Sequence, residues 1–431
     1  MLLLGAAAEF TLRGPMRFAH AANFNDFLSP YIQTRAWMSG ADPYSSQNLL
    51  RFWPPDSARF DFLVRDYANG TLVHKHGIPT AYPLSAFTLI APIAILPWHI
   101  AHPVWLVITV LSFALTVISL LAVADLLPLS HLSLLFFTLA LALAPFHTAL
   151  AAGSIVTVAV AVSAAAVWAA SRRHEFAAGL LLAAAIGLKP QIGLPFCFYY
   201  LVRRIWRIPA IALAAVAALF AFALLRCAAS GTPWLQNYLY DARVLLGPGS
   251  LGDFTEADPL RFGLLNFHVA AYAILHNRQL ATIAALAIAA VAGVIWLFFT
   301  LRNSQQNAAT ALLSLSTLVT LSLLPVYHRF YDGTLLIFAL AWSLSAWSGK
   351  NWNGPARSMA RAVFIVIVLV FLVPGGTALT QLQQAGHFAA VQNYWWWKAL
   401  ILPHESWSIL LLSLLLLRAM QTVSQPSTEP L

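Results

Sequence analysis

Apolar runs long enough to cross a membrane recur along the chain, and shorter polar connections separate them. A hydrocarbon core of roughly 30 Å needs about 20 helical residues, and only a helix satisfies its own backbone hydrogen bonds there. The pattern therefore predicts an all-α polytopic membrane protein. The predicted spanning helices cover residues 103–127, 132–149, 154–170, 208–226, 280–301, 308–324, 334–347, 362–378 and 407–420.

One further apolar stretch, residues 176–202, has basic residues on both flanks and the pair Lys189-Pro190 in its middle. Proline removes a helical hydrogen bond, and basic flanks favour the cytoplasmic side. The stretch is therefore predicted to form a helical hairpin, with a single kinked helix as the alternative. With the hairpin counted as two, the chain has about 11 transmembrane helices.

Two segments near the amino terminus do not fit a complete span. Residues 82–98 would reach only about 25 Å as a helix, and Pro92 and Pro97 interrupt them, which favours a juxtamembrane or re-entrant helix. Residues 1–8 are apolar but too short to span, which predicts a truncated first helix. Because an external first connection needs a preceding span, we expect the natural chain to begin upstream of Met1.

Composition and charge set the orientation. The chain is 60% hydrophobic and 9% charged, with a mean hydropathy of +0.75. Its net charge of +9 comes from Lys and Arg in short connections, which is typical of orientation signals and not of a nucleic-acid surface. We expect a multi-pass protein of a bacterial cytoplasmic membrane with no nucleic-acid partner. The connections placed in the cytoplasm hold Arg172, Arg173, Arg203, Arg204, Arg207, Arg302, Lys350, Arg357, Arg361 and Arg418.

The same orientation puts the long polar connections outside the cell. They are the first loop, residues 14–102, with its juxtamembrane helices, and a large loop, residues 227–279. Residues 327–332 and 381–405 lie on the same side. The chain is predicted to be one domain over residues 1–431, with a disordered cytoplasmic tail at 422–431.

The residues that could carry chemistry also fall on the external side. Asp26 precedes a predicted helix at 29–39, where a carboxylate can take a proton from a hydroxyl group or simply stabilise a helix start. Arg35 in that helix is a candidate phosphate clamp, or part of a solvated face. Lys189, at the hairpin apex, is costly unless it faces a polar cavity or an anion, with snorkelling to the interface as the alternative.

A third group follows the predicted span at 308–324. His328 could bind a phosphate or sugar hydroxyls with Asp332 orienting it, or the group could be a polar turn that caps the next helix. His74 and His76 lack an acidic partner, so a solvated basic loop is favoured over a metal site.

Several motifs in series carry a family resemblance. The segments NDFLSPYIQTRAWMSGADPY, AYPLSAFTLIAPIAILPW and GLLLAAAIGLKPQIGLPFCFYYLVRRIWR resemble glycosyltransferase family 87, a group of membrane-embedded GT-C glycosyltransferases. The signatures are Asp-Phe at Asp26, Asp-Pro-Tyr at Asp42, Tyr-Pro-Leu at Tyr82, Leu-Lys-Pro-Gln around Lys189, and His-x-x-Tyr-Asp at His328. One departure is Gly153-Ser154, where relatives often show Gly-Gln, and it leaves the acceptor open.

The resemblance implies transfer of a hexose, often mannose, from a polyprenyl-phosphate carrier to a lipid or glycan acceptor on the extracytoplasmic face. It implies that Asp26 is the catalytic base. We expect inversion at the anomeric carbon, because no second carboxylate is clearly placed as a nucleophile. The donor phosphate or sugar is assigned to Arg35, Lys189, Gln191, His328, Tyr331 and Asp332, and acceptor binding or loop support to Asp42, Tyr44 and Tyr82.

No obligatory metal or other cofactor is expected, with a divalent cation as the alternative. Two other classes of protein remain open from the sequence. A secondary transporter or flippase would place ionisable groups near the bilayer midplane and show repeated halves, which are not visible here. A noncatalytic subunit of envelope-glycan assembly is the third interpretation.

Overall fold

A computed structural model describes residues 1–20, 26–57, 61–65, 72–76, 81–302, 308–348, 352 and 354–423, with 61–65, 72–76, 308 and 348 as backbone only. Helices account for almost every element of this part. They are α1 (Leu2–Arg13), α2 (Pro15–Ala19), α3 (Leu28–Met38), α4 (Ser46–Arg51), α5 (Leu84–Ala94), α6 (Trp98–Val123), α7 (His131–Ala142), α8 (Ala144–Ala152), α9 (Val156–Ser171), α10 (Glu175–Leu188), α11 (Pro190–Val202), α12 (Arg207–Ala229), α13 (Trp234–Leu245), α14 (Phe267–Leu275), α15 (Arg278–Arg302), α16 (Ala308–Ser322), α17 (Leu336–Ser348), α18 (Gly354–Phe371), α19 (Gly375–Gln384) and α20 (His404–Val423). Two 3-10 helices, Arg261–Gly263 and Phe330–Leu335, and a π-helix, Trp397–Ile401, complete them.

The all-α prediction has one exception in the described residues. Strands β1 (Asp61–Arg65) and β2 (Leu72–His76) pair antiparallel, with Asp61 opposite His76. The sequence between them contains Asn69-Gly70, a strong hairpin signal that lies outside the described residues.

The chain is a multi-pass membrane protein by the length and composition of its helices. Five helical stretches in the described part are long and apolar enough to cross a membrane, namely 98–123, 207–229, 278–302, 354–384 and 404–423. Helices α7 and α8 would form a sixth span if their 48° bend is counted as one break. The predicted total of about 11 spans stays a prediction, because α9, α10 and α16 are apolar but shorter.

Several helix boundaries in the structure differ from those predicted from the sequence. Helix α5 continues through Pro92 and ends at Ala94, so the proline does not interrupt it. The predicted span at 362–378 divides into α18 and α19, and the segment predicted from 334 starts as a 3-10 helix. Helix α20 continues to Val423, two residues into the predicted tail, and residues 424–431 lie outside the described part.

The stretch 176–202 forms two helices that fold back on each other. Lys189 separates α10 from α11 with an extended backbone (φ −151°, ψ 89°), which the following proline favours. A Cβ atom on Gly193 would lie 2.6 Å from the backbone nitrogen of Ile186. Residues seven positions apart in one helix are about 10 Å apart, so this contact requires a hairpin. The predicted hairpin is therefore confirmed and the kinked single helix is excluded.

Gly193 tests how tightly this hairpin is closed. We expect Gly193→Ala to push α10 and α11 apart and to destabilise the protein by about 1–3 kcal/mol, because the new methyl group meets backbone atoms. Thermal unfolding of the purified protein in detergent measures the change. The control is Gly293→Ala in α15, where a Cβ meets nothing within 4 Å. Equal midpoints for both variants would contradict the close packing.

Candidate active site

A cavity of about 690 Å³ lies where the predicted external connections meet. Its walls come from α2, the turn before α3, the start of α5, the end of α8, the α10–α11 apex, residues 245–263, residues 327–331 and α19. The polar side chains that line it are Arg17, Asp26, Tyr82, Thr148, Lys189, Gln191, Tyr327, Arg329, Tyr331, Thr377 and Gln381. Segments that are far apart in sequence thus build one polar chamber.

Asp26 lies at the turn before α3 and is held there by its neighbours. The ring of Phe27 is fully buried and stacks on Trp105, with a centroid distance of 4.2 Å. The Asp26 N–H donates to the carbonyl of Ala152 at 2.6 Å. The next carbonyl, of Gly153, accepts from Trp105 Nε1 at 2.8 Å. The Gly153-Ser154 departure noted in the sequence therefore directly follows the residue that fixes the Asp26 backbone.

The Asp26 carboxylate does not cap α3, since that helix start has no side-chain capping bond. The nearby Tyr331 side chain lowers the pKa of Asp26, while Asp26 Oδ2 is buried and has no hydrogen-bond partner among the described residues. Burial raises the pKa of Asp26 above its ordinary value of 3.8, against the opposing effects of Tyr331, Lys189 and Arg329. Asp26 lines the cavity, and a carboxylate with a raised pKa is suited to accept a proton there.

Asp332 is buried next to the cavity and is the centre of a network of charged and polar side chains. Its Oδ1 accepts from Lys189 Nζ at 2.5 Å, and its Oδ2 accepts from the Arg329 N–H at 3.2 Å and lies 3.0 Å from His328 Nδ1. Lys189 and His328 together hold the pKa of Asp332 below its ordinary value despite burial. Asp332 thus caps the 3-10 helix and also forms the ion pair with Lys189. The polar turn predicted as an alternative for residues 328–332 is therefore present together with the pairing of Asp332 and His328.

Lys189 is 9% exposed and does not snorkel. Its ammonium group lies 5.1 Å from the centre of the Tyr331 ring, and Tyr331 is close enough to Asp26 to lower the pKa of that carboxyl group. Tyr331 is thus a neighbour of both the ammonium group and the carboxylate. His328 is fully buried behind Asp332 and does not line the cavity, whereas Gln191 does.

Besides His328 and Asp332, three predicted residues lie away from the cavity walls. Arg35 Nη1 donates to the hydroxyl group of Tyr31 at 3.0 Å. Asp42 is buried and accepts from Asn237 Nδ2 at 2.6 Å, which ties the first loop to α13. The Tyr44 hydroxyl group donates to the carbonyl of Tyr82 at 2.6 Å, and Tyr82 itself lines the cavity. Asp42 and Tyr44 thus support the loop that carries Tyr82.

Arg329, Arg17 and Tyr327 line the cavity but were not among the predicted site residues. Arg329 Nη1 donates to the carbonyl of Leu251 at 3.0 Å, and no carboxylate of a described residue lies within ion-pair distance of it. Its position beside His328 was a signal in the sequence. The sequence contains no signal that marks Arg17 as a site residue, because only the tertiary structure brings α2 to the cavity.

The described residues contain no group of three His, Cys, Asp or Glu side chains that could hold a metal ion. His74 and His76 belong to β2, for which only the backbone is described.

These features define a multi-pass helical membrane protein with a polar cavity that combines a carboxylate with cationic side chains. Residues 80–325, more than half of the 431 residues, match glycosyltransferase family 87, and the chain belongs to that family. It is therefore a membrane glycosyltransferase, which acts on a sugar donor and an acceptor. Neither a curated protein nor a solved structure matches the chain. The matched segment contains Tyr82 and Lys189, whereas Asp26 and Asp332 lie outside it.

The Lys189–Asp332 pair can be tested by a double-mutant cycle. We expect Lys189→Met or Asp332→Asn alone to cost about 3–5 kcal/mol, since each strands a buried charged or polar partner, and the double variant to cost less than the two combined. Thermal unfolding midpoints of all four proteins measure the coupling. The control is the exposed pair Arg207–Glu175, at 3.9 Å, for which little coupling is expected. Additive losses at Lys189 and Asp332 would contradict the pairing.

Proposed function

We propose that this glycosyltransferase moves a hexose, mannose-like, from a polyprenyl-phosphate carrier to a hydroxyl group of a lipid or glycan acceptor, with Asp26 as the general base. The observation that carries the proposal is the presence of the Asp26 carboxylate and the Arg329 guanidinium in one cavity. Transfer from a phosphate carrier needs a base for the acceptor proton and cations for the charge that develops on the leaving phosphate.

The cations of the cavity differ in how far their charge is already compensated. Lys189 pairs with Asp332 at 2.5 Å, so much of its charge is balanced within the protein. Arg329 has only a carbonyl partner for Nη1, and its planar guanidinium suits a phosphate. We therefore assign the main phosphate contact to Arg329, with Lys189 and Arg17 contributing at longer range. Tyr331 and Gln191 would then face the sugar.

Inversion at the anomeric carbon is the expected stereochemistry. Asp26 is the only carboxylate among the described residues that line the cavity. A retaining mechanism needs a second carboxylate as nucleophile, about 5 Å from the first. Asp332 is fully buried and already accepts from Lys189, His328 and Arg329, so it is poorly placed for that role. Direct displacement by the acceptor hydroxyl group is therefore favoured. That no metal is obligatory stays a prediction.

The distribution of basic residues supports an extracytoplasmic site. Helix α10 has 14 residues, about 21 Å, and runs from Glu175 to the cavity at Lys189. At its other end Arg207 approaches Glu175, and Arg203 Nη1 donates to the carbonyl of Thr300 at 3.0 Å. The basic connections and the cavity thus lie at opposite ends of α10. The positive-inside rule then directs the cavity to the outer face of a bacterial cytoplasmic membrane.

Replacing the base is the direct test. We expect Asp26→Asn to lower transfer about 10²- to 10⁴-fold while polyprenyl-phosphate sugar still binds, because the amide keeps the shape but cannot accept the proton. The assay uses protein in lipid nanodiscs, a panel of polyprenyl-phosphate hexoses, and mixed membrane lipid as acceptor. The control is Asp125→Asn, since Asp125 is exposed and its left-handed φ of 53° suits Asn. Full activity of Asp26→Asn would sink the assignment.

The pH dependence gives an independent check. A base acts only when deprotonated, and burial raises the pKa of Asp26, so kcat/KM should fall on the acid side at a pH above the ordinary aspartate value of 3.8. Asp332 should not cause this fall, because its pKa is lowered and it stays ionised there. The test measures kcat/KM of the wild-type protein as a function of pH, and follows unfolding over the same pH range. An acid limb at or below 3.8 would rule against Asp26 as the base.

A further inference from the structure

Helix α19 supplies a wall of the cavity that carries no charge. Pro374, Thr377, Ala378 and Gln381 line the cavity, and their spacing places them on one face of the chain entering and forming α19. The cationic side chains come from other segments, namely α2, the α10–α11 apex and residue 329. A hydroxyl group and an amide group can each donate and accept hydrogen bonds, which matches sugar hydroxyl groups better than a phosphate.

The first turn of α19 is held unusually close to its neighbours. A Cβ on Gly376 would lie 2.5 Å from the carbonyl oxygen of Phe262, and one on Gly375 would collide with His404 Nε2. A Cβ on Gly263 would lie 3.2 Å from Thr377 Oγ1. Three glycines thus allow α19 to pack directly on the 3-10 helix 261–263 and on the start of α20.

A buried carboxylate fixes this contact. Glu405, in the first turn of α20, is 2% exposed, and its Oε1 accepts from the Gly376 N–H at 3.0 Å. Its Oε2 is buried without a hydrogen-bond partner among the described residues. Burying a carboxylate is costly, and an apolar side chain would fill the space at lower cost, so packing alone does not account for Glu405. Its bond to the Gly376 N–H does, because the first N–H groups of a helix have no partner within that helix.

Helix α20 is a rigid support for that bond. It packs on α14, α15, α16 and α18, whereas α19, in the described part of the chain, packs mainly on α20 and the 3-10 helix 261–263 and with few contacts. The orientation of Thr377 and Gln381 toward the cavity therefore depends on how Glu405 holds the start of α19.

We propose that Thr377 and Gln381 form a subsite for the hydroxyl groups of a sugar-bearing acceptor, and that Glu405 is the positioning residue that keeps this subsite facing the cavity. This assignment rests on the proposed function, because an acceptor site has meaning only in a transferase of this kind. It names the acceptor class as a glycan or glycolipid, with several hydroxyl groups to read, in preference to a simple lipid alcohol.

Binding of a sugar acceptor probe, separate from transfer, tests the subsite. The probe is octyl mannoside, measured by equilibrium dialysis against nanodiscs that contain the protein, with empty nanodiscs as the blank. We expect saturable binding to wild type and a loss of about 3- to 10-fold in Thr377→Val and in Gln381→Ala, the loss expected for one neutral hydrogen bond. No saturable binding to wild type, or equal binding to all three proteins, would overturn the subsite.

Non-additivity tests the positioning role of Glu405. We expect Glu405→Leu to weaken octyl mannoside binding as much as both α19 substitutions together, and Gln381→Ala to add nothing in that background. Glu405→Gln should bind nearly as wild type does, since its amide oxygen can still accept from Gly376. Binding of polyprenyl-phosphate mannose should be unchanged throughout. Two results would assign Glu405 a purely structural role. One is that the fold-losses in octyl mannoside binding of Glu405→Leu and Gln381→Ala multiply in the double variant. The other is that Glu405→Leu lowers donor binding and thermal stability as much as it lowers octyl mannoside binding.

A second route keeps the test valid if Glu405→Leu does not fold. Gly376→Ala should move α19 because its Cβ meets the Phe262 carbonyl, and it should weaken octyl mannoside binding while Gly354→Ala, with nothing within 4 Å, should not. Asp125→Asn, at an exposed residue that does not line the cavity, should bind octyl mannoside as wild type does. If transfer fails while octyl mannoside still binds, the proposed donor or base is wrong and the subsite stands. If octyl mannoside binds equally to wild type and to the α19 variants, the subsite alone is wrong.

Discussion

The cavity depends on the buried ion pair between Lys189 and Asp332. Neither charge is stable alone in an apolar interior, so the hairpin apex and the 3-10 helix 330–335 must come together for either to be buried. Their contact brings Tyr331 close to Lys189 and to Asp26. One electrostatic requirement thus sets the position of three groups in the site. The pair stabilises the arrangement of the site more than it adds to the stability of the fold.

The sequence predicted correctly those structural elements that are determined by neighbouring residues in the chain. The break at Lys189 follows from the proline after it, and the helix after Asp26 follows from its own residues, so both were predicted. The placement of Lys189 and Asp332 together could not be read from either motif, because it depends on packing between segments 143 residues apart. Arg35 shows the opposite case, since closeness to Asp26 in sequence did not bring it to the cavity.

The parts of the site that sequence reasoning missed are those that only tertiary packing creates. Arg17 lies on a five-residue helix with no motif, and Glu405 looks like an ordinary acidic residue at a helix start. The division of the predicted span at 362–378 was also hidden, because Pro374-Gly375-Gly376 sits in an otherwise apolar run. The glycines become informative only when the neighbours that crowd them are known.

The walls of the cavity come from the whole length of the chain, from Arg17 to Gln381, with Glu405 behind the last wall. A chain that emerges from the ribosome amino terminus first therefore carries Asp26 long before the rest of the chamber exists. Until α19 and α20 have been synthesised, the wall formed by α19 and the Glu405 contact behind it are absent, and the cavity around Asp26 is incomplete. Under the proposed function, catalytic competence is thus acquired only at the end of biosynthesis.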